Sequence, residues 1–143
     1  MPNLSKTRKM RSTRLNMMNG KRMNYSIENI IITFMQMSNT VKLFHWKTKC
    51  YAEHKASDEL HSKLGDGIDK FVEVLLGKMN GNRFNINQFT TVYDDNIKRD
   101  IDVFKKYLVG MSNSQLNNQT DLMNIRDEIL GHCDQFLYLL TLK

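Results

Sequence analysis

Histidine and carboxylate side chains are concentrated in residues 44–77, which contain three of the four histidines of this 143-residue chain. A helix advances by ~1.5 Å and turns by ~100° per residue, so His54, Asp58, His61 and Asp69 share one sector about 80° wide, with Glu73 beside it. Imidazole and carboxylate groups are ligands for transition-metal ions such as iron. The stretch therefore predicts a metal site. The candidate ligands are His45, His54, Asp58, Asp69 and Glu73.

The spacing of these residues disfavours a site formed by one chain alone. His54 and Asp69 are fifteen residues apart, which is ~22 Å along a helix. If two copies pack antiparallel through this helix, the histidines of one copy approach Asp69 and Glu73 of the other. The sequence therefore predicts an antiparallel homodimer, or a larger homo-oligomer, with metal sites shared between subunits.

The same residues also have a purely structural interpretation. His45 continues the apolar face of the preceding helix, which is typical of a buried histidine bonded to backbone groups. Asp69 and Glu73 are also compatible with a solvated helix edge, and Asp58 with a residue that orients a ligand instead of binding the metal. His61 is treated as a neighbour of the site.

Four amphipathic helices must position these residues. Apolar residues recur at i, i+3, i+4 and i+7 in four segments. The predicted helices span residues 26–49, 53–77, 94–111 and 120–141. Ser26 and Thr120 are suitable N-caps, and Gly77 is suited to the position just after the second helix. Cys133 lies within the apolar stripe of the fourth helix and is predicted to be a small core residue.

The link between the second and third helices is long. Residues 78–93 lack helical periodicity and, when extended, can reach ~50 Å, whereas the second helix is only ~37 Å long. Such a link can run the whole length of a bundle, which favours the up-down-down-up order with one long crossover, the ferritin-like arrangement. A long surface loop is the alternative. The predicted domain is an all-α four-helix bundle of residues 26–143.

A basic arm precedes this domain. Residues 1–25 contain seven cationic side chains and no acid, although the net charge of the whole chain is only +6. The seven are Lys6, Arg8, Lys9, Arg11, Arg14, Lys21 and Arg22. Such an arm is suited to neutralising the phosphates of DNA or to contacting neighbouring proteins, such as capsid proteins, in an assembly. A mitochondrial transit peptide is a further interpretation.

Composition limits the possible classes of protein. Two cysteines are too few for a disulfide framework, no apolar run approaches the ~20 residues that span a bilayer, and no secretory segment is recognisable. We expect no membrane partner, and an intracellular (cytoplasmic) location or one within a virus particle, without secretion. No nucleophile triad, phosphate-binding loop, zinc finger or helix-turn-helix pattern is present.

The histidine-rich stretch resembles the Dps mini-ferritins, which oxidise and store iron and protect DNA. Their first helix ends in a His-Trp pair, as at His45 in FHWKTK. Their second helix carries a histidine and an acid four residues later, matched by His54 and Asp58, and then an Asp and a Glu four apart, matched by Asp69 and Glu73. The resemblance covers roughly residues 26–141, although the interval between His45 and His54 is shorter than in the mini-ferritins. The chain also resembles uncharacterised short ferritin-like proteins of phages and large DNA viruses.

The resemblance implies ferroxidase activity, with two iron ions in each inter-subunit site and a basic arm that contacts DNA. Two alternatives stay open. One is a non-enzymatic structural component of a virus particle, a minor capsid or internal protein that uses a ferritin-like scaffold. The other is a DNA-condensing protein that depends on the arm alone.

Overall fold

The computed structural model describes residues 23–142, which form four α-helices and no β-strand. The helices are α1 (Ile27–Lys47), α2 (Tyr51–Gly77), α3 (Ile97–Gly110) and α4 (Thr120–Leu139). A 3₁₀ turn, Met111–Asn113, follows α3. The all-α prediction is confirmed for this part of the chain. No helix within residues 23–142 is both long and apolar enough to cross a membrane.

The helix ends follow local chemistry, with two differences from the sequence prediction. Ser26 caps α1 as expected, because its side chain accepts a hydrogen bond from the Asn29 backbone N–H at 3.3 Å. Gly77, however, is the last helical residue of α2, and the left-handed backbone conformations follow at Asn80 and Gly81. Thr120 is the first residue of α4 and not its cap.

Contacts near both ends of α1 define its direction relative to α3. The Tyr25 hydroxyl, just before α1, donates a 2.8 Å hydrogen bond to the carbonyl of Tyr107 near the end of α3. At the opposite end, Lys47 pairs with Asp95, just before α3, at 2.5 Å. The two helices are therefore antiparallel.

Helix α4 packs antiparallel to α2. Lys78, just after α2, pairs at 2.8 Å with Asp121 in the first turn of α4, and Lys63 near the middle of α2 donates to Gln135. Helix α1 also packs against α2, and α3 against α4, so each helix of the bundle packs mainly against two neighbours. Helices α2 and α3 consequently run in the same direction, so the chain between them must return along the bundle.

Residues 78–96 make this return along the surface of α1. Three hydrogen bonds tie the link to α1, from the first turn of that helix to its middle. The Asn85 N–H donates to the Glu28 carboxylate, the Gln36 amide donates to the Thr90 carbonyl at 2.7 Å, and the Asn39 amide donates to the Thr91 hydroxyl. The link therefore spans the bundle from one end to the other.

Phenylalanine side chains from all four helices fill the core. Phe34, Phe71, Phe104 and Phe136 are fully buried, and the Phe34 ring meets those of Phe71 and Phe104 edge-on, at centroid distances of 5.1 and 6.0 Å. Cys133 is also fully buried, and burial raises the pKa of its thiol to about 12. Its prediction as a core residue is confirmed.

The folded bundle includes residues just before the first helix. Tyr25 is buried, and its backbone carbonyl accepts a 2.8 Å hydrogen bond from the Gln115 amide. A Cβ atom at Gly110 would lie 2.2 Å from the Tyr25 hydroxyl, so this close approach requires glycine. Residues 23–25, assigned to the arm from the sequence, thus pack on the bundle, while the seven basic residues lie outside the described part of the chain.

Candidate metal site

The corner between α1 and α2 brings two predicted ligands together. His45 lies in the last turn of α1, His54 lies in the first turn of α2, and only residues 48–50 separate the helices. The two imidazole rings stack, with centroids 3.9 Å apart and planes inclined by 23°. His45 is 7% exposed, and His54 is half-buried.

A reciprocal pair of hydrogen bonds holds the two rings. His45 Nδ1 lies 3.0 Å from the His54 carbonyl oxygen, and His54 Nδ1 lies 3.0 Å from the His45 carbonyl oxygen. A carbonyl only accepts hydrogen bonds, so each Nδ1 carries a hydrogen, and in the neutral form of either ring the lone pair is on Nε2. This arrangement is typical of metal-binding histidines, whose other nitrogen donates to a backbone carbonyl.

Ser57 supports the histidine pair and was missed from the sequence. It is fully buried, its hydroxyl donates to the His54 carbonyl at 3.0 Å, and its Oγ lies 3.3 Å from His45 Nδ1. The signal that points to it is a small polar residue at a core position of α2, three residues after His54. Its hydroxyl adds polar contacts to the buried edge of the pair.

Asp58 lies beside the pair at the surface. Its Oδ1 is 3.9 Å from His45 Nε2 and 3.9 Å from the Lys42 ammonium group. The structure thus places three of the five candidate ligands, His45, His54 and Asp58, in one region. Because Asp58 is shared with Lys42, it is suited either to binding a cation beside His45 or to balancing the lysine charge.

Asp69 and Glu73 lie elsewhere on α2. Both are exposed, and fifteen residues of helix separate Asp69 from His54, a distance of ~22 Å. Within residues 23–142, no three His, Cys, Asp or Glu side chains are close enough together to hold a metal ion. The histidine pair and the later carboxylates therefore do not form one site within the described chain.

His61 lies close to the same region and is half-buried. Burial lowers its pKa, and the positive charge of Lys42 lowers it further, while the Asp58 carboxylate acts in the opposite direction. The side chain is therefore held in its neutral form near pH 7. It adds an uncharged imidazole next to the histidine pair.

The helical bundle with a paired-histidine corner belongs to a protein family without an assigned function. The chain is a member of DUF5856, described as a family of unknown function, which matches residues 45–140. That range begins at His45 and includes all five candidate ligands.

A phage relative extends this comparison. The chain is 34% identical over 102 residues to an uncharacterized 14.6 kDa protein from the mobD-ri intergenic region of Enterobacteria phage T4, a match that covers 69% of this chain and 75% of the phage protein. No solved structure matches the chain. The phage relation agrees with the predicted likeness to phage proteins, while neither match names a ferritin.

Proposed function

We propose that this chain is a ferritin-like protein that binds iron(II), or another divalent transition-metal ion, at sites shared between two copies. The observation that carries the proposal is the reciprocal hydrogen bonding of His45 and His54, which leaves the Nε2 lone pair of both rings available. Imidazole is a suitable ligand for iron, zinc and copper. Two imidazoles alone leave a metal ion short of ligands.

The missing ligands are available on a second copy. Asp69 and Glu73 are exposed and one helical turn apart on α2, so they can approach one metal ion together. An antiparallel partner would present this acidic pair to the histidine corner. In the shared site, His45 and His54 of one chain and Asp69 and Glu73 of the other would hold the metal, with Asp58 beside it.

The helix order supports the comparison with ferritins. The contacts at the helix ends correspond to an up-down-down-up bundle with one long crossover, the order found in ferritin-like proteins. Bound iron(II) would supply electrons to oxygen or peroxide, and the chain would fix the geometry of the ligands. The resulting activity would be a ferroxidase.

An anaerobic iron(II) titration, followed by addition of oxygen, tests the proposal. We expect the wild-type protein to bind two iron ions per shared site and to gain ferric absorbance with oxygen. The double variant His54→Ala/Asp69→Ala should lose both. The matched control His132→Ala/Asp102→Ala removes the same residue types from α4 and α3 and should retain both. If the wild-type protein binds no more iron than background, the proposal is refuted.

Mixing two single variants tests whether the site is shared. His54→Ala and Asp69→Ala should each bind no iron alone. In a mixed dimer, one of the two sites combines the intact histidine of one chain with the intact carboxylate of the other. Iron binding should therefore reappear after the variants are unfolded and refolded together. If each variant is inactive and the mixture stays inactive, the ligands are not contributed by two different chains.

The second candidate is a non-enzymatic structural component of a virus particle, and the same histidine corner is compatible with a purely structural role. The last turn of a helix leaves carbonyl groups without helical partners, and His54 satisfies that of His45. The pair can thus serve only to clamp α1 to α2. In that case His45→Asn/His54→Asn should lower the melting temperature, a chelator should leave it unchanged, and no iron should bind.

A further inference from the structure

Two large aromatic side chains are exposed beside the histidine corner, Trp46 in the last turn of α1 and Tyr51 at the start of α2. Trp46, the only tryptophan of the chain, is 67% exposed, and the Lys42 ammonium group lies 5.5 Å from its ring centre. Tryptophan contributes more apolar area than any other side chain and is enriched where proteins meet partners. Its exposure marks a contact surface on the outer side of α1.

An apolar groove lies on the same side of the molecule, further along the α1–α2 pair. It encloses about 290 Å³ between α1, α2 and the crossover. Its apolar lining consists of Ile31, Met35, Ile68, Val72 and Phe84. Met35 and Trp46 are eleven residues apart, so they lie on nearly the same face of α1 at ~16 Å separation. The surface thus has a projecting ring in one half and a recess in the other.

Charge is distributed in the same two halves. The groove half of α2 carries Asp66, Asp69 and Glu73, none of which makes an ion pair within residues 23–142, and one exposed base, Lys70. The Trp46 half carries the exposed Lys49 and Lys55 in addition to Lys42, while its acids Asp58 and Glu59 already pair with Lys42 and Lys63. An antiparallel pairing of two such surfaces brings unlike charges together, which is the condition for a self-complementary two-fold interface.

We propose that Trp46 of each copy inserts into the apolar groove of the other, in a dimer whose two-fold axis passes close to Ser62 and Gly65. This inference rests on the second copy required by the proposed function and adds the contact that holds it. A Cβ atom at Gly65 would meet nothing within 4 Å, so the surface there is open to a close partner helix.

Two midpoints, one on α2 and one on α1, place the two-fold axis at the same height along the bundle. The midpoint between His54 and the pair Asp69 and Glu73 falls near residue 62 of α2. The midpoint between Trp46 and Met35 falls near residue 40 of α1. The stacking of His45 on His54 and the Phe34–Phe71 contact show that these two positions lie at about the same height. One arrangement therefore fills both grooves and completes both metal sites.

The single tryptophan reports the contact directly. In the presence of a chelator, dilution of the full-length protein is followed in parallel by sedimentation and by Trp46 fluorescence. We expect a dimer in which the emission is blue-shifted and protected from acrylamide, and a monomer in which both effects are lost. Emission that is already blue-shifted in the monomer would mean that residues of the same chain, such as 1–22, cover Trp46, and would overturn the inference.

Variants on the two sides of the contact complete the test. Trp46→Ala and Met35→Asp should each weaken dimerisation by at least about tenfold, and Met35→Asp should also return the emission to that of an exposed ring. The controls Val109→Asp and Tyr138→Ala change exposed residues of α3 and α4 and should leave the dimer intact. Circular dichroism verifies that each variant is folded.

The outcomes separate this inference from the proposed function. A dimer with protected Trp46 that binds no iron would refute only the metal site. Iron binding restored by mixed His54 and Asp69 variants, in a dimer whose Trp46 stays exposed, would refute only the groove contact. A monomer at all concentrations, or a dimer unaffected by both Trp46→Ala and Met35→Asp, would also overturn the inference.

Discussion

The two hairpins of this bundle differ in where exposed acids lie beside a recess. On α3 and α4, the buried Arg126 donates to the Leu108 carbonyl and to Asp127, and Lys105 pairs with Asp134 at 2.5 Å, whereas Lys98, Asp102, Lys106 and Glu128 make no ion pair within residues 23–142. On the outer face of α1 and α2, the acids Asp66, Asp69 and Glu73 make no ion pair within residues 23–142. They lie near the apolar groove, on the same face as the exposed Trp46.

This difference separates a hairpin that completes the fold from one that is suited to a partner. Side chains that are satisfied within the chain stabilise one bundle and gain nothing from a second copy. Exposed apolar area and unpaired charge stabilise a complex only when another surface covers them. Substitutions in α3–α4 should therefore change stability alone, and those on the outer face of α1–α2 should change association and metal binding.

The largest expected effect comes from the core of α3. Phe104→Ala removes a fully buried ring that contacts Phe34, so the free energy of unfolding should fall by about 3–5 kcal/mol. Urea unfolding measures this loss. In the fraction that remains folded, iron binding and dimerisation should match the wild type. A selective loss of either function at unchanged stability would contradict the division between the hairpins.

Two glycines give a matched test of intermediate size. Gly110→Ala would place a Cβ atom 2.2 Å from the Tyr25 hydroxyl, and displacing that ring should cost about 1–3 kcal/mol. Gly65→Ala meets open space in α2 and should stabilise the isolated chain by about 0.5–1 kcal/mol, because alanine favours the helix. Thermal unfolding compares the two under dilute, monomeric conditions.

The same pair sharpens the comparison when association is measured. Gly65→Ala adds a methyl group next to the proposed two-fold axis, so it should weaken the dimer although it stabilises the monomer. Gly110→Ala should leave the dimerisation constant unchanged in folded protein. If Gly110→Ala weakens the dimer and Gly65→Ala does not, the partner surface lies on α3–α4.

The smallest effect concerns pH. The pKa of folded His61 is lowered by burial and by Lys42 from the ordinary 6.5, so the unfolded chain takes up a proton first as pH falls. The stability associated with neutral His61 is complete above that value and is lost as pH falls through the folded pKa. His61→Gln should flatten the decline in unfolding free energy below pH ~6.5. The control His132→Gln leaves His61 in place and should show the same decline in unfolding free energy as the wild type.

Much of the architecture follows from local patterns in the sequence. The spacing of apolar residues predicts all four helices, since one face must be buried at a period near 3.6 residues, and Ser26 caps α1 because its side chain reaches an N–H three residues away. The long link predicted at residues 78–93 appears as residues 78–96. The histidines, nine residues apart across a short break, also meet as a pair.

Other features depend on contacts between distant residues. Ser57 joins the histidine pair only because α2 turns that position towards α1. Tyr25 belongs to the bundle because its hydroxyl donates a hydrogen bond to the backbone carbonyl of Tyr107, eighty-two residues later. The tautomers of the histidines depend on which carbonyl groups lie within 3.0 Å. The sequence by itself determined the helices and the residue types of the candidate site. Only the tertiary structure decided which lone pairs are available, because hydrogen-bond partners are set by packing across the chain and not by helical period.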